Sequence, residues 1–197
     1  TAKTFATTSS FRNALVLDMA MGGSSNTVLH TLAVATTAGL KLDLNDLDRV
    51  SRITPNICKV SPSSSIHMED VHASGGIMAI MKEIAKCGEL DLDAPAVSGK
   101  TIGEQIAAAP DPDGKVIRTV DAPYSKSGGL SILFGNLALN GCVVKTAGVA
   151  PKMLVHRGPA VIFESEEAAC KGILDGDVKA GDVVVIRYEG PKGGPGM

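Results

Sequence analysis

The spacing of apolar residues changes part-way along the chain, and that change limits the possible folds more than any other feature. Across residues 22–92 apolar side chains recur every three or four positions between short polar breaks, the spacing of helices with one buried face. After Asp93 they gather in short β-branched runs split by Gly, Pro and Asn, which is how strands and tight turns are written. The reading is therefore mixed α/β (α+β), with a helical part over 1–93 and a strand-rich part over 94–197. The first helix follows Gly22-Gly-Ser-Ser-Asn26, with Val28, Leu29, Leu32, Ala35 and Ala38 on one stripe, Ser24 or Ser25 as cap and Gly39 as stop. A second covers 45–52 with Asn45 as cap, a third 68–73 and a fourth 77–87 before Gly88. Strands are expected over 116–120, 130–134, 142–146, 160–163 and 182–188. Between them, Thr101-Ile-Gly-Glu104 is a capping box and Ser165 caps a helix over 166–174.

Composition narrows the function. Lys and Arg number 19 against 21 Asp and Glu, and only 3% of residues are aromatic, so the chain has neither the basic field nor the stacking rings of a nucleic-acid binder. No apolar run approaches the ~20 residues of a membrane span, and residues 1–5 lack the apolar core of a signal peptide, so a cytoplasmic protein is expected. Cys58, Cys87, Cys142 and Cys170 share no CxxC spacing and read as four isolated buried thiols. With no initiator Met and a loop-like end, the chain reads as a fragment of a longer protein.

Four segments have chemistry in them. Gly22-Gly-Ser-Ser-Asn-Thr27 opens a helix and could offer amides and hydroxyls to an anion, or simply be a capped helix start. His67-Met-Glu-Asp-Val-His72 holds two imidazoles and two carboxylates, but a spacing of five sets the histidines about 140° apart on a helix, which favours a solvated face over a metal site. Lys145, His156 and Arg157 form a polar set between strands, readable as an ordered loop or as the surroundings of a general base at His156. Glu189 stands where an apolar strand gives way to a glycine-rich loop, a position suited to a hard-cation ligand or to a carboxylate that stabilises the turn.

Asp18-Met-Ala-Met-Gly-Gly-Ser-Ser-Asn-Thr-Val-Leu-His30, His67-Met-Glu-Asp-Val-His72, Pro123-Tyr-Ser-Lys-Ser-Gly-Gly129, Val144-Lys-Thr-Ala-Gly148, Lys152-Met-Leu-Val-His-Arg-Gly-Pro159 and the run from Arg187 to Met197 closely resemble, in order, the dihydroxy-acid and sugar-acid dehydratase family. The resemblance covers nearly everything from Phe11 to Met197, and Asn26-Thr-Val-Leu-His30 is more like the branched-chain members than the phosphogluconate ones. It implies the helical end of an N-terminal α/β domain followed by a C-terminal β/β/α swivelling, barrel-like domain. It further implies a homodimeric hydro-lyase that dehydrates 2,3-dihydroxyisovalerate and 2,3-dihydroxy-3-methylvalerate to 2-oxo acids for valine and isoleucine synthesis. Sugar-acid dehydration, or a catalytically inactive scaffold, is the alternative. The implied cofactors are an iron–sulfur cluster, 2Fe–2S or 4Fe–4S, and Mg²⁺. Of the family's site residues, Glu189 matches the Mg²⁺-binding glutamate, while Ser24 and Asn26 fall near the substrate cleft. The cluster cysteines, the Mg²⁺ aspartates and a carbamylated lysine are expected before Thr1 and the catalytic serine after Met197, so no catalytic residue or cluster ligand is assigned within the chain.

Overall fold

Thr7 begins the helix around which the first part of the chain is built. Its backbone is extended and its hydroxyl accepts the Ser10 N–H at 3.1 Å, opening α2 (Thr8–Ala20) after a single-turn α1 (Ala2–Phe5). The computed structural model describes residues 1–190. Leu15, Val16, Met19 and Ala20 of α2 lie in the core, and the helix packs against α3 (Ser25–Thr37), α4 (Leu44–Ile53) and α6 (Gly76–Ile84). Periodicity missed α2 because polar Asn13 and Asp18 also point inward, which blurs the apolar stripe.

α3, α4, α5 (Met68–Ala73) and α6 otherwise fall where the periodicity puts them, with Gly88 (φ 74°) closing the turn of 3-10 helix after α6. One cap differs. Asp43, not Asn45, caps α4: its carboxylate accepts the Asn45 and Asp46 amides at 2.8 and 3.0 Å, and Asp46 returns a bond to the Asp43 N–H. This is a complete capping box, and the Asp46 amide above all holds the Asp43 carboxyl below its ordinary range.

Ile57, Val71, Ile80, Ile84, Ile117 and Leu130 complete the core, each contributing about 1.5–3 kcal/mol by burial. Glu83 is just as deep. It is tolerated there because Lys86 pairs with it at 2.5 Å and the Val120 N–H donates to it at 2.9 Å.

Residues 116–120 do not form a strand. The Asp113 carboxylate collects the amides of Lys115, Val116 and Ile117, leaving one bridge between Ile117 and Cys58. α7 (Ile102–Ala107) starts at the expected Thr101–Glu104 capping box. β1 (Ser131–Gly135) and β2 (Ala138–Val144) pair antiparallel with a bulge at Phe134, and β1 rests on α4. β3 (Ala160–Phe163), α8 (Glu166–Asp175) and β4 (Val183–Ile186) form a parallel βαβ unit, Ala160 opposite Val183 and Phe163 opposite Ile186. The described strands thus make two two-stranded sheets in a mixed α/β chain. Among the described residues no helix is long and apolar enough to cross a membrane.

By packing, the chain divides into Thr1–Gly148 and a second unit starting at Val149. Residues 90–97, where the spacing of apolar residues changes, are clamped into the first unit. Leu90 and Ala94 are buried, and the Asn13 side chain bonds the backbone of Asp91 in both directions, at 2.8 and 2.9 Å. A change of secondary structure is therefore not a break in packing here, since Ile106, Ile117 and Leu130 join the same core as the helices. Limited proteolysis should cut first in the exposed stretch 150–157 and spare 90–97; first cuts inside 90–97 would overturn this division.

A second prediction concerns two glycines. A Cβ on Gly129 would lie 1.8 Å from the Gly22 carbonyl oxygen, whereas one on Gly148 meets nothing within 4 Å. Gly129→Ala should cost more than about 3 kcal/mol in urea unfolding and Gly148→Ala less than about 1 kcal/mol.

Candidate functional site

In the unit that starts at Val149, the chemistry collects at the carboxyl ends of β3 and β4. Parallel strands joined by a helix leave this edge open, and ligands of α/β folds collect at such edges. Directly after β4, the Arg187 N–H donates to the Phe163 carbonyl at 2.9 Å, and the Arg187 guanidinium grips Glu164 through both Nε and Nη2. Tyr188 then takes φ 63°, a left-handed conformation uncommon for a bulky residue. That turn brings Glu189 back onto the start of α8, where its Oε1 accepts the Glu166 N–H at 3.0 Å. Beside it Ser165 Oγ accepts the Ala168 amide at 3.1 Å, as the sequence predicts.

Glu189 therefore occupies a helix N-terminus, where a carboxylate is favoured by free amides and the helix dipole. Its second oxygen has no partner among the described residues. As a hard, exposed oxygen donor it suits Mg²⁺, but as one ligand only: among the described residues no three His, Cys, Asp or Glu side chains come together as a metal site. The glycine loop that follows, including Lys192, lies outside the described residues.

A second site lies in the first unit, under the start of α3. Gly22 (φ 97°) and Gly23 (φ 69°) turn the chain sharply, and a Cβ on Gly23 would sit 2.5 Å from Leu130 Cγ, so only glycine fits. The turn closes an open cleft of about 540 Å³ whose polar lining includes Asp18, Ser24, Thr27, Ser61 and Lys145. The Thr27 hydroxyl donates to Asp18 Oδ1 at 3.0 Å, while Asp18 Oδ2 is buried with no partner among the described residues. Burial pushes the Asp18 carboxyl above its ordinary range, and the Thr27 hydroxyl, the Ser24 amide and the charge of Lys145 pull it part of the way back.

Ser24 lines this cleft as the N-cap residue of α3, though its side chain makes no capping bond. Asn26 is exposed and is not part of the lining. Asp18 and Thr27 were not singled out from the sequence, yet a signal existed: an acid in the last turn of a helix sits against the dipole and needs a specific partner.

The other candidates resolve differently. His67 and Asp70 are capping residues of α5, with the His67 N–H donating to Asp70 at 2.8 Å, and both histidines are exposed. The polar set of Lys145, His156 and Arg157 is divided between the two units; His156 Nε2 bonds the Gly181 carbonyl oxygen at 3.0 Å, which occupies it structurally. Of the four thiols expected to be buried, only Cys58 is, and burial pushes it up to about 11; Cys87 is half-buried and Cys142 and Cys170 are exposed, because the edges of β2 and α8 that bear them are uncovered.

Residues 1–105 match the profile described as dihydroxy-acid/6-phosphogluconate dehydratase N-terminal, and residues 115–197 match its C-terminal counterpart. The chain belongs to this family. Among curated proteins it is similar to the dihydroxy-acid dehydratase of Aquifex aeolicus (60% identity over 94% of this chain and 33% of that protein). It is likewise similar to the dihydroxy-acid dehydratases of Akkermansia muciniphila (62%, 94% and 33%) and Desulfosudis oleivorans (55%, 97% and 34%). The chain thus spans about a third of the length of these relatives.

The raised Asp18 carboxyl gives a prediction with a definite sign. A carboxyl whose pKa rises on folding costs nothing below its unfolded value, where both states are protonated, and its full cost is present above the native value. Asp18→Asn keeps an oxygen for Thr27 and cannot ionise. The native chain should therefore lose stability relative to Asp18→Asn as pH rises from about 3 to 7. Parallel urea-unfolding curves across that range would contradict the buried, raised carboxyl.

Proposed function

We propose that this chain is a part of a hydro-lyase that removes water from 2,3-dihydroxy carboxylates to give 2-oxo acids, with 2,3-dihydroxyisovalerate and 2,3-dihydroxy-3-methylvalerate as substrates. The observation that carries the reading is 53–60% identity, over 94–99% of this chain, to four proteins named dihydroxy-acid dehydratase, with a fifth at 62%. Sugar-acid dehydration is the second reading, since the family description covers 6-phosphogluconate dehydratases as well. With the reading comes a cytoplasmic homodimer that uses Mg²⁺ and an iron–sulfur cluster.

The residues fit the two cofactors unequally. Mg²⁺ bound with Glu189 as one ligand would hold the substrate carboxylate and 2-hydroxyl and stabilise negative charge developing beside them. Glu189 is suited to this because Arg187 is tied to Glu164 and Phe163, so the strand end that bears the carboxylate is fixed before anything binds. The thiols do not fit an iron–sulfur cluster: the described cysteines form no group, and Cys58, buried at about 11, resists the thiolate form that cluster ligation needs. In the first unit, the cleft sets Lys145 beside Asp18, Ser24 and Thr27, polar groups of the kind that line a hydroxy-acid site.

The test uses the full-length protein. We expect turnover of 2,3-dihydroxyisovalerate to exceed that of 6-phosphogluconate, and Glu189→Gln, which keeps an acceptor for the Glu166 amide, to lose at least about 10² in kcat/KM. Near-full activity of Glu189→Gln with unchanged Mg²⁺ dependence would return Glu189 to the role of a helix cap. Turnover of 6-phosphogluconate alone would favour the sugar-acid reading, and turnover of neither, the inactive scaffold.

A further inference from the structure

Two cationic side chains lie over the ring of Tyr124. The Arg118 guanidinium carbon lies 3.8 Å from the ring centroid and the Lys59 ammonium 5.4 Å from it. Both residues are half-buried, and neither side chain has a carboxylate or any hydrogen-bond acceptor among the described residues. Other described basic side chains are paired with acids, as Arg12 is with Glu89 and Lys82 with Asp111. The Asp113 carboxylate, close in sequence, is occupied by three amides of its own loop and by the Ser74 hydroxyl.

A half-buried cation has lost part of its hydration, and a cation–π contact returns only about 0.5–2 kcal/mol of it. Stacking on a ring face also leaves a guanidinium's in-plane N–H fork open to a partner. The backbone beneath this group is rigid. Asn56 bridges to Ser125 and Cys58 to Ile117, the Arg118 N–H donates to the Ile57 carbonyl at 2.8 Å, and the Tyr124 N–H donates to the Asn56 carbonyl at 2.8 Å. The Tyr124 hydroxyl, donating to the Lys115 carbonyl at 3.4 Å, steadies the ring. Two short segments distant in sequence, 56–59 and 117–125, thus hold two unspent cations around one aromatic plane, which is preorganisation for a ligand of opposite charge.

We infer that Arg118 and Lys59, set on Tyr124, form a binding site for a small oxyanion, either a carboxylate or a phosphate group. Arg118 supplies a two-pronged contact and Lys59 a point charge. The site does not depend on the dehydratase reading, because it is read by binding rather than by turnover.

The experiment is a calorimetric titration of the chain with inorganic phosphate, and separately with acetate, at low ionic strength, with circular dichroism to verify each variant's fold. We expect saturable one-site binding that Arg118→Gln weakens at least tenfold and Lys59→Gln severalfold. Arg118→Lys should restore little, since it keeps the charge and loses the fork, while Lys152→Gln, an exposed lysine of the other unit, should leave binding unchanged. Should Arg118→Gln not fold, Lys59→Gln and Arg118→Lys still decide the matter. Binding of phosphate without acetate assigns the site to phosphate groups, and binding of acetate, alone or as well, assigns it to carboxylates. Absence of saturable binding of either ion, or equal binding by Arg118→Gln and Lys152→Gln, overturns the inference.

Discussion

The first unit is organised by a place where two stretches of backbone touch without side chains between them. Gly22 and Gly129 meet so closely that no Cβ fits at Gly129, and Gly23 leaves the space that Leu130 fills. Hydrogen bonds extend the contact in both directions: the Gly128 N–H donates to the Ser51 carbonyl at 2.7 Å and the Ala147 N–H to the Gly129 carbonyl at 3.0 Å. The Ser51 hydroxyl donates to the Leu130 carbonyl. One crossing therefore fixes the start of α3, the end of α4, the entry to β1 and the segment after β2. The cleft depends on it, because Asp18, Ser24 and Thr27 come from one side of the crossing and Lys145 from the other. Interior backbone approaches of this kind are all-or-none, since close-packed interiors have no slack into which a methyl group can be pushed.

Glu189 shows how one carboxylate can meet two demands with the same physics. A helix N-terminus and a divalent cation both reward negative charge held on a fixed oxygen. In the described chain the helix takes one oxygen and the other remains available. The left-handed Tyr188 is what turns the chain there; a non-glycine residue in that conformation costs about 1–3 kcal/mol, and such strain persists where its surroundings demand it. Those surroundings are the Arg187 grip on Glu164 and the hydrogen bond its backbone N–H donates to the Phe163 carbonyl. The strain and the candidate ligand are thus neighbours in the sequence for a structural reason.

Much of this was legible beforehand, and the divisions are physical. The α3, α4, α5, α6 and α8 helices, the Thr101–Glu104 box and the Ser165 cap are local: their determinants lie within a turn or two of themselves, and spacing alone reveals them. The strand expected over 116–120 failed because Asp113, just upstream, took the amides a ladder would have used. α2 went unread because its inward face includes Asn13 and Asp18, polar residues that can be buried only when partners arrive from Asp91 and Thr27.

By itself the sequence determined the mixed α/β class, most helix limits and the family, because these follow from periodicity, capping chemistry and long motifs read in order. It also placed Glu189 at a strand end. Only the tertiary structure decided that residues 94–148 share the core of the helices, that Lys145 lies by Asp18, and that Arg118 and Lys59 meet on one tyrosine ring. The reason is the same in each case. A local signal reports which backbone a segment prefers, whereas burial, charge pairing and an unspent donor are properties of groups that meet only when distant segments pack.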